Sequence, residues 1–253
     1  MIELKKLSFT YAGEPYVDDL SLEFQSGTFT AIVGENGSGK TTLLELISGN
    51  LTPTSGDIAI DGQSLKSMKP RELALHLSYF PQGRPIPDMS VEELVLLGRY
   101  PYSRGAFGVT DEDRRISELA MREAGADMFA KRNVKTLSFG ERQRVYLAMQ
   151  LAQGADNCIF DEPTNFMDIR VKFAMLDILL SKKTEGKCIV SVLHDVSLAM
   201  KYADRIIVMR GGRVAADGTP EQLYENGSLA DALCIRLDRY RSDRGNEYIV
   251  MKK

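Results

Sequence analysis

A glycine-rich segment between two regular elements constrains the fold of this chain more than any other feature. Residues 34–41 read GENGSGKT and fit the phosphate-binding pattern G-x-x-x-x-G-K-[ST]. The residues before it, Phe29–Val33, are apolar or β-branched and predict a buried strand, whereas residues 42–47 predict the start of a helix. Strand, loop and helix in this order are the setting in which such a loop binds phosphate.

The chemistry of this segment predicts a bound nucleoside triphosphate. Glycines let successive backbone N–H groups turn toward an anion, and a helix N-terminus adds partial positive charge. We expect Lys40 to reach the β- and γ-phosphates and the Thr41 hydroxyl to hold Mg²⁺. The alternative is a glycine-rich turn with an exposed lysine, which the flanking elements disfavour. The candidate nucleotide-binding residues of the segment are Gly34, Asn36, Gly37, Ser38, Gly39, Lys40, Thr41 and Thr42.

Composition restricts the class of protein. The 253 residues are 43% hydrophobic and 26% charged, as in soluble globular proteins that form one large α/β domain or a domain with a subdomain. A net charge of −3 argues against a dedicated nucleic-acid binder. Three scattered cysteines and two histidines disfavour a disulfide framework and a histidine-built metal site. We see neither a signal peptide nor an apolar run long enough to span a bilayer, so we expect a cytosolic chain.

The order of patterns along the chain predicts an α/β core with two additions. Alternating apolar residues near the N-terminus, as in residues 20–24, predict an antiparallel β layer. From about residue 84 to residue 152 the pattern becomes helical, with helices that open at Ser90, Thr110 and Ser138. Strands and helices then alternate again, and a hairpin is expected at the C-terminal end. We predict a core of residues 1–83 and 153–253, with residues 84–152 as an inserted helical subdomain. The apolar face of the second helix is predicted at Ile116, Leu119, Ala120 and Ala124.

Polar side chains follow several of the predicted strands. Asp161 and Glu162 come after an apolar strand, and ligands of open α/β sheets bind at the carboxyl ends of strands. Asp161 is expected to complete the Mg²⁺ shell with Thr41, and Glu162 to orient and polarise the water that attacks the γ-phosphate. The alternative is a pair of solvated acids, which the upstream phosphate loop disfavours. His194 and Gln82 also follow strands; alone they would be a structural histidine and a loop glutamine, but their positions favour a γ-phosphate contact for His194.

The start of the third helix predicts a second anion-binding end. Residues 137–144 read LSFGERQR, in which Ser138 and Glu141 form a capping box. The Ser138 hydroxyl and the Gly140 amide lie at the helix N-terminus, where backbone N–H groups point outward. An ordinary capped helix is the alternative. One nucleotide has no obvious use for two such ends within one subunit, whereas a second subunit would use the extra end.

Taken together, these motifs resemble those of the ATP-binding subunit of an ABC transporter, and the resemblance covers nearly the whole chain. Residues 34–41 resemble the Walker A loop, residues 158–162 resemble Walker B with its catalytic glutamate, and residues 137–141 resemble the signature motif. Gln82 falls at the Q-loop and His194 at the switch histidine. Tyr11, which could otherwise fill a core, falls at the aromatic A-loop, and Asp168 falls at the D-loop.

The resemblance implies a fold, an activity and partners. The fold would be that of a P-loop NTPase, α/β with a mixed central sheet, an antiparallel β subdomain and an inserted helical subdomain. The activity would be Mg²⁺-dependent ATP hydrolysis in a homodimer, with Lys40, Glu162 and His194 catalytic and with Gln82 joining Thr41 and Asp161 at the metal. Each site would join one chain to Ser138 and Gly140 of the other. The partners would be a polytopic permease at the inner face of the membrane and a substrate-binding protein upstream, with no nucleic acid.

The chain departs from the family pattern at two places, and it shows a finer resemblance at three others. Phe139 stands where the signature motif usually has glycine, and Glu141 where it usually has glutamine. Phe166 and Met167 precede Asp168, where a small or polar residue and then leucine are common. The segment 98–102, residues 111–116 and a short terminal hairpin look like those of iron–siderophore, haem and cobalamin importer ATPases.

Three hypotheses follow for the function of the chain. The leading one is an ABC importer ATPase for an iron chelate or a related ligand. A non-transport ABC ATPase acting on nucleic acid or the ribosome, or an importer ATPase for another substrate, shares the same motifs, although the coiled coil or tandem cassettes of non-transport relatives are not seen here. A small-molecule kinase would use the phosphate loop but would not need residues 137–141 or the helical subdomain.

Overall fold

The structure is a computed structural model that describes residues 1–83, 85–103, 108–241 and 247–252. The described β-strands are Ile2–Tyr11 (β1), Glu14–Phe24 (β2), Phe29–Val33 (β3), Ser55–Ile60 (β4), Gln63–Ser64 (β5), Leu77–Phe80 (β6), Asn157–Asp161 (β7), Cys188–Val192 (β8), Arg205–Arg210 (β9), Arg213–Gly218 (β10), Arg236–Arg241 (β11) and Glu247–Lys252 (β12). The described α-helices are Lys40–Ile47 (α1), Pro70–His76 (α2), Val91–Leu96 (α3), Asp111–Glu123 (α4), Phe139–Gln153 (α5), Ile169–Thr184 (α6), Val196–Tyr202 (α7), Pro220–Glu225 (α8) and Ser228–Leu233 (α9).

The central sheet is mixed, as the resemblance implied. Its strand order is β10-β9-β3-β8-β7-β6. Five of these strands run parallel, and β10 pairs antiparallel with β9 at one edge. Because parallel strands end at the same edge of a sheet, the residues that follow β3, β6, β7 and β8 come together there. A second, antiparallel sheet has the order β2-β1-β4-β5 and confirms the predicted β layer.

The two faces of the central sheet form two separate hydrophobic cores. In β3, Ala31 and Val33 belong to the core that includes α5 and α6, whereas Ile32 belongs to the core that includes α1 and the antiparallel sheet. Both faces are therefore covered, which explains why every residue of β3 is buried and is apolar or β-branched, instead of alternating with exposed polar residues. Leu43, Leu44, Leu46 and Ile47 of α1 are fully buried between the two sheets.

The α-helices between β6 and β7 begin where the sequence predicts. Ser90, Thr110 and Ser138 are the N-cap residues of α3, α4 and α5, and each forms a capping box. The predicted face of α4 is partly wrong, because the side chain of Leu119 is 47% exposed. Asp113 is turned inward by Arg99, whose Nε donates to its Oδ1 at 3.0 Å. The residues that α4 buries are therefore Asp113, Ser117, Ala120 and Met121.

The C-terminal end of the chain contains the predicted hairpin. Strands β11 and β12 pair antiparallel, with Leu237 opposite Met251. Residues 242–246, where the turn is predicted, lie outside the described residues, as do residue 84 and residues 104–107 of the helical region. Within the described part of the chain, every helix is too short or too polar to cross a membrane.

Candidate nucleotide-binding site

The glycine-rich loop runs so close to other backbone that two of its glycines cannot be replaced. Gly34 has φ +149°, and a Cβ there would lie 2.2 Å from the carbonyl oxygen of Met209 in β9. Gly39 has φ +96°, and its Cβ would lie 2.3 Å from the carbonyl oxygen of Tyr16 in β2. The loop is therefore held between two strands by steric fit, and it delivers the chain to the first residue of α1 in a fixed direction.

The Lys40 ammonium lies inside this loop. Its Nζ donates to the carbonyl oxygens of Gly34 at 2.8 Å and Glu35 at 2.7 Å, and to the Ser38 hydroxyl at 3.3 Å. The residue is only 5% exposed. Burial lowers the pKa of the ammonium, while the nearby carboxylates of Glu162 and Asp161 oppose that shift. These contacts hold a positive charge in the concave side of the loop, where an anionic phosphate would bind.

A cleft of about 470 Å³ lies beside the loop and collects residues from separate strand ends. The loop and α1 contribute one wall, and the ends of β6, β7 and β8 contribute the other. The volume falls within the range of sites that hold small ligands and cofactors. The residues that line it are Tyr16, Asn36, Gly37, Gly39, Lys40, Thr41, Thr42, Gln82, Glu162, Asn165, Phe166 and His194.

Three side chains converge on the carboxylate of Glu162. Nε2 of Gln82 and Nδ2 of Asn165 both donate to Oε2, and Nε2 of His194 is paired with Oε1. The Glu162 side chain is only 8% exposed. Its backbone has φ +50°, a conformation uncommon for residues other than glycine and often found at functional sites. The carboxylate is therefore fixed in one orientation at the edge of the sheet.

Asp161 ends β7 and is the most perturbed acid of the site. It is fully buried, and burial raises the pKa of its carboxyl to about 6, with smaller contributions from Glu162 and Glu45. The Thr41 hydroxyl is close enough to lower the pKa in part. Neither carboxylate oxygen has a partner at good hydrogen-bond geometry among the described residues. Buried acceptors without a donor are costly, and a divalent cation with oxygen ligands would satisfy them, so the pair of Asp161 and Thr41 fits Mg²⁺.

The structure does not bring every predicted site residue into this cleft. Of the described residues, Ser138 and Gly140 lie at the start of α5 and do not line it. Asp168 caps α6, where its Oδ1 accepts from Arg170 N and Val171 N at 3.0 Å. Tyr11 is 68% exposed and meets Tyr16 edge to face, with ring centroids 6.3 Å apart. Tyr16, rather than Tyr11, lines the cleft.

The start of α5 is open to solvent, as the second anion-binding end requires. The Glu141 carboxylate accepts from the Ser138 backbone N at 2.7 Å, and the Glu141 N–H donates to the Ser138 hydroxyl at 3.3 Å. The hydrogen bonds from Ser138 lower the pKa of Glu141. The capping box thus orders the turn while Ser138 stays exposed. An exposed, ordered helix N-terminus is suited to a ligand brought by another surface.

Sequence reasoning missed Tyr16 and Asn165 as residues of this cleft. Asn165 lies in a turn in which its backbone N donates to the Glu162 carbonyl oxygen at 3.2 Å. An asparagine three residues after an acid at a strand end can fold back on that acid, but the course of the loop decides whether it does. Tyr16 had no comparable signal, since its approach to the loop depends on how β2 packs against it.

A phosphate loop at the carboxyl edge of a parallel sheet, beside a buried acid and a held glutamate, defines a nucleoside-triphosphate-binding protein. The family described as ABC transporter matches residues 17–165. The petrobactin import ATP-binding protein FpuD of Bacillus anthracis is 38% identical over 232 residues, covering 91% of this chain and 85% of that protein. The hemin import ATP-binding protein HmuV of Rhodopseudomonas palustris is 35% identical over 258 residues, which cover 98% of this chain and 94% of that protein.

A solved structure extends the similarity to three dimensions. The ATP-binding cassette MJ0796, in a dimeric post-hydrolysis state with ADP and phosphate, is 28% identical, with a TM-score of 0.79 over 87% of this chain and 99% of that one. The chain belongs to the ABC transporter family and is an ATP-binding ATPase with the cassette fold.

Proposed function

We propose that the chain powers an ABC importer for an iron chelate of the siderophore, haem or cobalamin type. The observation that carries this proposal is the convergence of Lys40, Asp161 and Glu162 with Gln82 and His194 at one edge of the sheet. The class of transported ligand is supported by relatives named for the import of petrobactin, hemin and iron(3+)-hydroxamate. Each of these relatives matches at least 91% of this chain. The division into a core of residues 1–83 and 153–253 and a helical subdomain of residues 84–152 remains a prediction.

In the proposed reaction each residue of the cleft has a distinct task. The loop amides and Lys40 bind the β- and γ-phosphates, and Tyr11 stacks on the adenine ring. Glu162 orients the attacking water and accepts its proton, while His194 contacts the γ-phosphate. Thr41, Gln82 and Asp161 hold Mg²⁺, which when bound neutralises charge on the phosphate oxygens. The three donors on Glu162 keep its carboxylate aimed at one place, which reduces the reorganisation needed for catalysis.

The proposal also includes a second copy of the chain. Ser138 and Gly140 lie outside the cleft of their own chain, and they present an open helix N-terminus. In a homodimer this end would contact the γ-phosphate of the ATP held by the other copy, with Asp168 near the interface. Closure with ATP and reopening after hydrolysis would then move a polytopic permease at the inner face of the cell membrane, with a substrate-binding protein upstream. The permease would dock near Gln82 and the described part of residues 84–105.

Uptake in cells tests the proposal directly. Cells that lack this chain would be complemented with the wild type or with Lys40→Ala, and uptake of radiolabelled iron–siderophore, haem and cobalamin would be measured. We expect the wild type to restore uptake of one class and Lys40→Ala to restore none. Normal uptake of all three in the deletion strain, together with hydrolysis stimulated by nucleic acid, would instead favour a non-transport ABC ATPase.

A further inference from the structure

Two phenylalanines from different parts of the chain meet beside the nucleotide cleft. Phe139 is the first residue of α5, and Phe166 lies in the loop between β7 and α6. Their ring centroids are 5.9 Å apart, and the ring planes are 88° apart, the edge-to-face arrangement that aromatic pairs prefer. Phe139 stands where the signature motif usually has glycine, and a glycine there would leave Phe166 without this contact.

The environment of Phe166 indicates that this contact holds the loop in place. Phe166 is 86% exposed, and its backbone has φ +57°, a conformation unfavourable for a bulky residue. An exposed aromatic in a strained conformation needs an interaction that compensates for the strain. Phe139, itself 39% exposed, supplies an aromatic partner for the ring within the same chain.

The segment from Glu162 to Phe166 connects the aromatic pair directly to the proposed catalytic carboxylate. Asn165, the preceding residue, donates from Nδ2 to Oε2 of Glu162 and from its backbone N to the Glu162 carbonyl oxygen. Both ends of this loop, Glu162 and Phe166, have left-handed backbone conformations. A shift of the Phe166 ring therefore moves Asn165, and with it one of the three donors that orient Glu162.

We propose that the Phe139–Phe166 pair is an intramolecular clasp that positions Glu162. The clasp fastens residues 162–166 to the start of α5 in the same chain. The start of α5, which faces the second copy, and the Glu162 carboxylate of the same chain therefore move together. Phe139 and Phe166 are positioning residues, since they act on the reaction through Asn165. The inference rests on the proposed function, because it assigns Glu162 to hydrolysis and the start of α5 to a partner's nucleotide.

A double-mutant cycle on ATP hydrolysis tests the clasp. Phe139→Leu removes the ring and keeps an apolar side chain, and Phe166→Asn removes the ring and tolerates the left-handed backbone. We expect each to lower kcat roughly threefold to tenfold, the factor that corresponds to an edge-to-face pair. The KM for ATP should change little in Phe139→Leu, because Phe166 but not Phe139 lines the cleft. The double variant should be no slower than the slower single variant, and Phe139→Tyr should keep the wild-type rate. Multiplicative losses in the double variant would contradict the clasp.

Mixed dimers separate a clasp within one chain from a contact across the interface. With both substitutions in one subunit and a wild-type partner, one clasp stays intact; with one substitution in each subunit, both clasps are broken. The first dimer should therefore be the more active, and the reverse order would place the contact between subunits.

A nuclear magnetic resonance measurement tests the clasp even if no dimer forms. Cross-relaxation between the labelled rings of Phe139 and Phe166 is expected in the ATP-free monomer and should be lost in Phe139→Leu. Dimers that never form would count against the proposed function, whereas absent cross-relaxation would overturn the clasp.

Discussion

At the residue scale, two adjacent acids at the end of β7 have opposite surroundings. Glu162 is held by donors from three strand ends or loops, whereas Asp161 is buried and neither of its oxygens has a well-placed donor in the part of the chain that the structure describes. Asp161 is the last residue of β7, whereas Glu162 follows the strand with a left-handed backbone conformation, so the two adjacent carboxylates have different surroundings. Environments that differ in this way separate the roles of two carboxylates, one for proton transfer and one for a metal.

Glu162→Gln should separate hydrolysis from nucleotide binding. The amide keeps the shape of the side chain but cannot accept a proton, so kcat is expected to fall about 10²- to 10⁴-fold. The dissociation constant for ATP, measured by equilibrium titration, should stay near the wild-type value. Glu185→Gln is a suitable control because Glu185 pairs with Lys182 away from the cleft, and it should hydrolyse ATP at the wild-type rate. Unchanged hydrolysis in Glu162→Gln would remove Glu162 from the mechanism.

Asp161→Asn should stabilise the metal-free protein in a manner that depends on pH. The folded pKa of about 6 lies above the ordinary 3.8, so wild-type Asp161 lowers the stability of the folded state progressively as the pH rises from 3.8 to about 6, and the full loss is present above pH 6. Two pKa units correspond to about 3 kcal/mol, the upper limit of the gain expected at pH 8 in EDTA. The gain in Tm should shrink as the pH falls below 6 and disappear near 3.8, where Asp161 is protonated in the folded state and increasingly so in the unfolded chain. Asp156→Asn, at a side chain that is 83% exposed, should show no such trend.

At the element scale, local signals predicted the long elements and the short capped helix α3, but not the short helices α2, α8 and α9. The strand–loop–helix unit of β3 and α1 and the three capped helices followed from patterns within a few residues of each other. Helices α2, α8 and α9 are six or seven residues long, which is too short for a helical period to be recognised. Leu119 was assigned to the wrong face of α4 because a polar contact, the Arg99–Asp113 pair, sets the rotation of that helix.

Arg99 should be a major stabilising residue of the helical region. It lies in the 3₁₀-helix Leu97–Tyr102, donates to Asp113 at 3.0 Å and to the Ala152 carbonyl oxygen at 2.7 Å, and sits 3.9 Å from the centroid of the Tyr102 ring. Arg99→Ala leaves these acceptors unpaired in a largely buried site, so we expect a loss of roughly 2–3 kcal/mol in the free energy of unfolding.

The matched control for Arg99→Ala is Arg115→Ala on the same side of the molecule. Arg115 makes two hydrogen bonds with Glu112, both 2.7 Å long, but both side chains are about 60% exposed. Exposed pairs of this kind contribute little, so its denaturation midpoint should match that of the wild type. Equal midpoints for the two variants would mean that the Arg99 contacts do not secure the 3₁₀-helix to α4 and α5.

At the scale of the whole molecule, the edge of the parallel sheet organises the site. Once a parallel sheet was predicted, the meeting of Lys40, Glu162 and His194 followed, because parallel strands end together. The approach of Gln82 and Asn165 to Glu162 did not follow, since it depends on β6 lying next to β7 and on the course of a single loop. The exposed start of α5, which lies outside the cleft of its own chain, makes a second copy the central claim of the proposed mechanism.

Sedimentation of Glu162→Gln with Mg²⁺ and ATP tests whether two copies of the chain come together around the nucleotide. Slow hydrolysis should keep ATP in place, so the chain is expected to sediment as a dimer with ATP and as a monomer without it. Adding Ser138→Arg to the same chain should abolish the dimer while ATP still binds the monomer, because only the surface offered to the other copy has changed. A chain that stays monomeric at saturating ATP, or a dimer that persists with Ser138→Arg, would contradict the account.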